Sequence, residues 1–373
     1  MVNKWPLTPP SPVGRELEGE KYIMNMLNYK SYITNGAMCI VLCTLFVACS
    51  GDDLEQYAQR ADNANEIGFM PKVENVTRST YSQHPSTMGV FGYHDLSSIT
   101  IDKPANRIFS NQEVSYVEGI WSYTPTKYWP EYSSYDSFDF LGYMPYNGSA
   151  SFSYQATIYT LSFAANLNET NMMEGTNLPL ICNVPHHKNA PGEIVDFKMD
   201  QTMTGFQLNF KLGAKMSQVR EFEITKVVVS GDIPYKGKIS RSYVIKDKKW
   251  ESAPIVWSEV ESKSMSLNIA NKGGSLILKN NGFQEWGEPF FAIPVESFMP
   301  TISVTYNVKV ANNGTVTRKE VTNNIIFNEN NFANLRKWEL KPGKLNTLEI
   351  AIVPDHLYIL ADADQYIGYL VME

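Results

Sequence analysis

The sequence predicts an all-β protein made of two tandem antiparallel β-sandwich domains. Aromatic residues are abundant, with 21 Tyr and 18 Phe among 373 residues, and β-branched residues cluster in short runs, as they do in strands. From position 67 onward these runs recur roughly every ten to twenty residues with turn residues between them, which is the pattern of a sandwich. No stretch there keeps the 3.6-residue apolar period of an amphipathic helix. About 320 residues follow position 49, enough for two domains with separate cores.

Residues 1–48 are predicted to be a leader and a lipoprotein signal peptide. Residues 36–48 form an apolar run of thirteen residues. This run is shorter than the ~20 residues that cross a bilayer as a helix, and it suits a secretory signal. Lys30 lies in the positively charged stretch just before it. Translation is therefore expected to start at Met24 or Met26, the alternative being that residues 1–23 are a disordered leader.

Cys49 directly follows Ala48, as the acylated cysteine of a lipoprotein follows its signal. We expect cleavage before Cys49 and attachment of acyl chains such as palmitate to its thiol and new amine, because several chains together hold a protein stably at a membrane. Residues 49–65 are polar and are predicted to be a tether. The alternative is that the apolar run is a short buried helix that carries cysteines.

The net charge argues against nucleic-acid binding, and the cysteine content argues against an intramolecular disulfide. The net charge is −7, and residues 1–48 contain four basic and three acidic residues, so the remainder carries −8. Because no basic patch occurs, nucleic acid is not expected as a partner. Cys39 and Cys43 fall within the signal and Cys49 takes lipid. Cys182 therefore has no intramolecular disulfide partner and is predicted to be a small buried hydrophobe.

The N-terminal sandwich is predicted to span residues 66–186. Its segment 119–130 is rich in Trp, Tyr and Pro. The aromatic side chains of this segment either fill the core or form an exposed platform for a sugar or a partner, and the core is favoured because such large side chains are mostly buried. The strands predicted in this domain are 67–71, 87–93, 138–144 and 159–163.

A polar segment with proline and glycine at its ends, 185–192, is predicted to link the two domains. The C-terminal sandwich is then expected to span residues 193–373. In 302–310 every second side chain is apolar, so one face of that strand should be buried and the other solvated. The strands predicted in this domain are 206–210, 224–229, 243–245, 265–269, 276–278, 290–293, 302–310, 325–327 and 348–353.

The sequence contains no recognisable catalytic or cofactor-binding motif. A glycine-rich phosphate loop, a nucleophile elbow and a zinc-binding helix motif are all missing, although spacing alone cannot identify or exclude a glycosidase carboxylate pair. His186 and His187 are adjacent, so their side chains point apart in an extended chain and are expected to lie in a solvated loop rather than on one metal. Asp362 and Asp364 supply two of the roughly six to eight oxygen ligands that calcium takes. We therefore expect no enzyme activity, metal or cofactor.

Several segments together, in this order, resemble the Bacteroidales-type fimbrillins, the lipoprotein pilins of type V pili. The resemblance spans residues 45–353, and it rests on the order of the segments rather than on any one of them. Two features depart from the family pattern: Phe46 stands where such signals usually have Leu, and the first strand is interrupted early by Pro71. The segments that carry the resemblance are 45–53, 67–69, 77–79, 121–129, 138–145, 195–208, 224–231, 291–294, 302–306 and 338–350.

The resemblance implies a structural, tip or anchor subunit of a cell-surface fimbria that supports adhesion, with two transthyretin-like domains. Members of the family reach the outer membrane as lipoproteins, and a trypsin-like protease then cuts after an arginine, removing the lipid and the first strand. A strand from the next subunit fills the groove that is left. The implied partners are other pilin subunits, joined by β-strand addition, and the outer membrane, through the lipid on Cys49. A head-to-tail contact that does not close yields a filament.

Arg78 and Arg60 are the two candidate processing sites. Arg78 follows the first predicted strand, so a cut there would free that strand, whereas a cut after Arg60 would release only the lipid. Arg78 is favoured, since nicking concentrates in exposed loops with small polar residues. Segments 357–360 and 366–371 are either a donor strand or the last strands of the second sandwich. Two other functions remain open: a non-polymerising surface lipoprotein that binds a glycan or host ligand, and a secreted enzyme on a sandwich scaffold.

Overall fold

A computed structural model describes residues 65–73, 84–96, 106–129, 135, 137–213, 220–278, 282–295, 298–310, 314–326, 340–353 and 356–361. Almost all regular structure in these residues is β-strand, so the predicted all-β class is confirmed. No helix in this part of the chain is long and apolar enough to cross a membrane. In chain order the elements are β1 (Phe69–Val73), β2 (Thr87–His94), β3 (Arg107–Val117), β4 (Ile120–Ser122), β5 (Phe138–Met144), β6 (Ser151–Gln155), β7 (Ile158–Asn166), α1 (Glu169–Glu174), β8 (Leu180–Cys182), β9 (His186–Lys188), β10 (Val195–Gln201), β11 (Thr204–Leu212), β12 (Arg220–Lys246), β13 (Lys249–Ser252), β14 (Val256–Ile269), β15 (Leu276–Leu278), β16 (Gln284–Ala292), β17 (Thr301–Val310), β18 (Val316–Ile326), β19 (Leu345–Val353) and β20 (His356–Ala361).

The strands in the described part of the chain form three sheets. The first has the order β1-β10-β8-β5-β2-β3-β4, with β9 also paired to β5. The second has the order β18-β17-β12-β7-β6, with β13, β14 and β15 also paired to β12, and the third has the order β16-β11-β19-β20. Most neighbours are antiparallel, but β1 runs parallel to β10 and β19 runs parallel to β11.

Two hydrophobic cores lie between these sheets. The first collects side chains of the first sheet together with β7 and the C-terminal part of β12, such as Phe163 and Tyr243. The second lies between the third sheet and the strands around β12, and includes Phe206 and Trp286. Sheets that pack face to face over a core of alternating inward side chains form a sandwich.

One strand, β12, contributes to both cores. It pairs with β15 and β17 near its start, with β14 along its middle, and with β7 and β13 toward its end. The sequence predicted two separate strands here, 224–229 and 243–245, and this was wrong. The pairing register of β12 shifts between Ile224 and Lys226 and again between Pro234 and Lys236. Such bulges change which side chains face inward and accommodate a proline, so a continuous strand looked interrupted.

The segment predicted to be a linker contains strand β9, which pairs with β5. Beyond it, β10 pairs with β8 in the same sheet, so the first sheet continues past residue 193. The three residues of β9 have little intrinsic strand preference, and their conformation depends on a partner strand distant in sequence. The division into domains at 66–186 and 193–373, and the transthyretin-like topology, stay predictions.

The short helix α1 was not predicted, since six residues are too few to show an apolar period. The side chain of Asn168 accepts a hydrogen bond from the Asn171 backbone N–H, and the Asn168 backbone N–H donates to the Asn171 side-chain oxygen, which completes a capping box. The helix ends at Gly175, which has a left-handed conformation. A Cβ at Gly175 would lie 2.6 Å from the Phe291 ring, so both backbone and packing require glycine.

Candidate functional site

The first strand lies in a groove between two parts of the chain. On one side it pairs in parallel with β10, and the Val195 N–H donates to the Gly68 carbonyl at 2.8 Å. On the other side the Ile67 N–H donates to the Lys127 carbonyl at 3.0 Å, and the Trp129 N–H donates to the Asn65 carbonyl at 2.6 Å. We call the space between β10 and residues 127–129 the strand groove. Its occupant, residues 65–73, precedes the other described strands in the chain and is separated from them by residues 74–83, which lie outside the described residues.

Two side chains anchor the occupant in the first core. Ile67 and Phe69 are each 1% exposed. The Phe69 ring is surrounded by four aromatic rings, with centroid distances of 5.3 Å to Phe109, 5.5 Å to Tyr123, 5.9 Å to Phe197 and 6.2 Å to Phe140. We call these four residues the Phe69 pocket. Fully burying a side chain of this size contributes about 2 to 3 kcal/mol relative to leaving it exposed.

A glycine on β2 makes room for the walls of this pocket. A Cβ at Gly92 would lie 2.8 Å from a ring carbon of Phe140 and 2.9 Å from one of Phe109. Both distances are shorter than real Cβ contacts, so any side chain at this position would displace the two rings. The strand pattern of 87–93 predicted β2, but no sequence signal linked Gly92 to a ring on β1.

Tyr123 holds the main chain of the occupant. Its hydroxyl donates to the Ile67 carbonyl at 2.8 Å and lies 3.2 Å from the Lys127 carbonyl. The Lys127 ammonium donates to the Ile108 carbonyl and lies 5.0 Å from the centroid of the Phe109 ring. These contacts connect residues 123–127 to the occupant and to β3 on one side of the groove.

The outer end of β1 is held less firmly. Lys72 is exposed and forms an ion pair with Asp196 at 3.0 Å, with both side chains more than 40% exposed. Such a pair contributes about 0 to 1 kcal/mol. Pro71 has no N–H to donate, which is typical of an edge strand. Ile67 and Phe69 are therefore the most deeply buried side chains of the occupant.

The predicted processing and lipidation residues lie outside the described residues. This applies to Cys49, Arg60 and Arg78, and also to Asp362, Asp364 and segment 366–371. Val73, where β1 ends, and His84, just before β2, line one small cavity together with Pro85, Leu178 and Leu180. The ten residues 74–83 that contain Arg78 therefore connect two points at the same cavity.

The large aromatic side chains of segment 119–130, which includes β4, mostly belong to the core, as predicted. Trp121 and Trp129 are each 3% exposed and Tyr123 is 8% exposed. Trp129 packs edge-on against Phe138 and Phe140, at centroid distances of 5.2 and 5.7 Å. Tyr128, at 56% exposure, faces outward.

Cys182 is fully buried, as predicted for a small hydrophobe. Its sulfur lies 3.3 Å from the Tyr243 hydroxyl, which donates to the Cys182 carbonyl at 2.8 Å. Burial raises the pKa of the Cys182 thiol, which disfavours the reactive thiolate.

Arg241 donates to the Cys182 carbonyl at 3.3 Å and pairs with Asp200 at 2.6 Å. These bonds fix β12 against β8 and β10, next to the strand groove.

The two adjacent histidines have different partners, and the expectation of a solvated loop was wrong. His187 bonds through Nδ1 to the buried carboxylate of Asp139 at 2.7 Å, and this hydrogen bond raises the pKa of His187. His186 bonds to the Asp196 carbonyl at 3.0 Å, and burial lowers its pKa. Asp139 is 48 residues away from His187 in the chain, so local sequence gave no sign of this pair.

Among the described residues no group of three or more His, Cys, Asp or Glu side chains is arranged to hold a metal.

Comparison with known proteins identifies one family. A family model described as fimbrillin-like matches residues 77–362. No curated protein matches the chain. Among solved structures, a fimbrial protein from Bacteroides vulgatus has 16% identity and a TM-score of 0.49, with 80% of this chain and 98% of that one covered. A candidate cell adhesion protein from Bacteroides ovatus has 13% identity and a TM-score of 0.43, covering 83% and 99%. A fimbrial assembly protein from Parabacteroides distasonis has 10% identity and a TM-score of 0.36, covering 82% and 99%.

Proposed function

This chain belongs to the fimbrillin-like family, and on that premise we propose that it is a subunit of a cell-surface fimbria that assembles by strand replacement. It is exported as a lipoprotein through Cys49 to the outer membrane. A protease then removes the lipid together with β1, and a strand from another subunit enters the strand groove. The role is structural and adhesive, without catalysis.

The observation that supports this proposal is the position of β1. It is an end strand of its sheet, so it can leave without breaking the pairs between other strands. Its departure would nevertheless uncover the Phe69 pocket, an aromatic cavity in the first core. A vacated groove with free main-chain groups on both walls is a site for β-strand addition, in which main-chain hydrogen bonds supply affinity and alternate side chains fill pockets.

The described bounds of the occupant favour Arg78 as the processing site. The groove contacts begin at Asn65 and the strand ends at Val73. A cut after Arg60 leaves all of these contacts on the body of the protein. A cut after Arg78 separates the whole occupant from the strands that follow.

The C terminus of the chain offers a matching occupant. The order Ile-Gly-aromatic occurs twice in the sequence, at 67–69 and at 367–369. Residues 367–371, Ile-Gly-Tyr-Leu-Val, therefore carry the same kinds of side chain as the Ile-Gly-Phe-Met that begins at Ile67. We propose that this segment of a second copy enters the groove, which would give an open, head-to-tail filament.

Processing can be tested on the purified full-length lipoprotein with two matched variants. After treatment with a trypsin-like protease, the unaltered protein should yield Ser79 as a new N terminus and a ladder of polymers on gels run without boiling. Arg78→Ala should abolish both, and Arg60→Ala should leave both unchanged. A protein that is cut after Arg78 and stays monomeric would contradict the polymer-forming role and favour a non-polymerising surface lipoprotein.

A further inference from the structure

The geometry of the strand groove points to a selectivity rule for its occupant. We propose that the Phe69 pocket accepts an aromatic side chain and discriminates against an aliphatic one, and that the Tyr123 hydroxyl fixes the register at which that side chain arrives. The inference rests on the proposed function, because it concerns the strand that takes the place of β1. The occupant it specifies is an extended strand with an aromatic residue two positions after the carbonyl that Tyr123 binds.

The pocket is shaped for a flat ring. The Phe69 ring stacks at 12° on Phe197 and meets Phe109 and Phe140 nearly edge-on, at 73° and 70°. Stacked and edge-to-face arrangements are favourable beyond the area they bury. A branched aliphatic side chain can fill part of the volume but cannot reproduce the ring contacts on four sides.

The walls of the pocket are held in place from behind. Phe140 and Phe197 are fully buried, and Phe109 is 1% exposed. The rings of Phe109 and Phe140 lie against the backbone of Gly92. A Cβ placed on Gly92 would be 2.8 Å from a ring carbon of Phe140 and 2.9 Å from one of Phe109. Close-packed interiors adjust little to a change in shape, so the pocket cannot contract around a smaller side chain.

Through its hydroxyl, Tyr123 contacts the main chain of the occupant. Its hydroxyl donates to the Ile67 carbonyl at 2.8 Å, while its ring forms one wall of the pocket at 5.5 Å from Phe69. A carbonyl is present at every residue, so the hydrogen bond does not depend on the sequence of the occupant. It does set the distance along the strand between the bound carbonyl and the ring in the pocket.

Glycine at position 68 is not part of the rule. A Cβ at Gly68 would lie 3.5 Å from Cγ1 of Ile194, which is an ordinary contact, and Gly68 does not have a left-handed conformation. A strand with alanine there should therefore still fit. This gives a matched control, since Gly68 and Phe69 are adjacent in the same strand.

The test uses the full chain with a recognition sequence for a site-specific protease placed after Arg78. After the cut, labelled peptides that copy residues 65–73 compete with β1, and fluorescence anisotropy measures their affinity. Phe69→Leu in the peptide should weaken binding on the order of tenfold, whereas Gly68→Ala should leave the affinity nearly unchanged. A peptide that copies residues 365–371 should bind, and Tyr369→Leu should weaken it similarly.

The possible results separate the two proposals. Equal affinity of the Phe and Leu peptides would overturn the selectivity rule and leave strand replacement standing. Failure of every peptide to bind, the unaltered copy of residues 65–73 included, would contradict strand replacement itself and with it the rule.

Tyr123→Phe in the protein tests the register contact. Losing one hydrogen bond to main chain should weaken all of the peptides by the same factor, about threefold to tenfold. Unchanged affinities of all the peptides would mean that the Tyr123 hydroxyl contributes nothing to binding, which would overturn its role in setting the register.

Discussion

Asp139 joins three strands through one buried carboxylate. Its Oδ1 accepts hydrogen bonds from His187 on β9 at 2.7 Å and from the Trp250 indole on β13 at 2.8 Å. His187 also contacts the Asn189 side-chain oxygen through Nε2 at 2.9 Å. Of these groups, His187 is the one whose charge changes near neutral pH. The first core therefore contains a titratable contact between β5 and its partners.

Stability should depend on pH through His187. The hydrogen bond to Asp139 raises the folded-state pKa of His187 above its unfolded value near 6.5. The stabilisation is therefore complete below about pH 6.5 and is lost as the pH rises through the folded-state pKa. Because the His187 side chain is 38% exposed, the effect should be less than about 1 kcal/mol. Urea denaturation at pH 6 and pH 9 should show a smaller pH difference for His187→Gln, and an unchanged difference would contradict this role.

For single residues, the sequence predicted which side chains are buried better than it predicted which residues contact each other. Trp121, Trp129 and Cys182 were expected in the core because they are large or apolar, and the structure confirms each of them. The Asp139–His187 pair could not be predicted, because it joins residues far apart in the chain through a tertiary pairing of strands. The same limit applies to the Phe69 pocket, whose four rings come from separate strands and loops.

Strands were predictable where apolar residues alternate with polar ones or form a short run. The strand 302–310 was expected from strict alternation, and β17 covers Thr301–Val310. The apolar run 276–278 coincides with β15. Where a strand carries many polar side chains, as in β3, or contains bulges, as in β12, its length or existence could not be read from alternation.

The cap of α1 gives a prediction for a single element. Asn168→Ala removes the side-chain acceptor for the Asn171 N–H and should lower the free energy of unfolding by about 1 kcal/mol. Thr170→Ala is the matched control, since Thr170 is exposed in the same helix and alanine has the higher helix propensity. Denaturant unfolding of both variants measures the difference, and equal stability would mean that the capping box contributes nothing.

The shared strand β12 should make the two cores unfold together. Leu161 on β7 is fully buried in the first core, and Leu161→Ala should cost about 2 to 5 kcal/mol. If the cores are coupled, amide hydrogen exchange should accelerate in β11 and β19, which belong to the second core, as well as in the first sheet. Ile158→Ala, at an exposed position on the same strand, should change neither. Acceleration confined to the first sheet would show that the cores open independently.

The parallel pairing of β1 with β10 has a mechanical consequence. Five residue pairs, from Phe69 with Val195 to Val73 with Met199, align the two strands side by side. If a strand in that position is pulled along its own axis, the hydrogen bonds that join it to β10 are all loaded at the same time, in shear. Peeling the strand away from one end would instead break them one after another. A fimbria held by such joints would resist tension much more strongly than peeling, so its subunits could be secure against fluid drag and still be assembled one strand at a time.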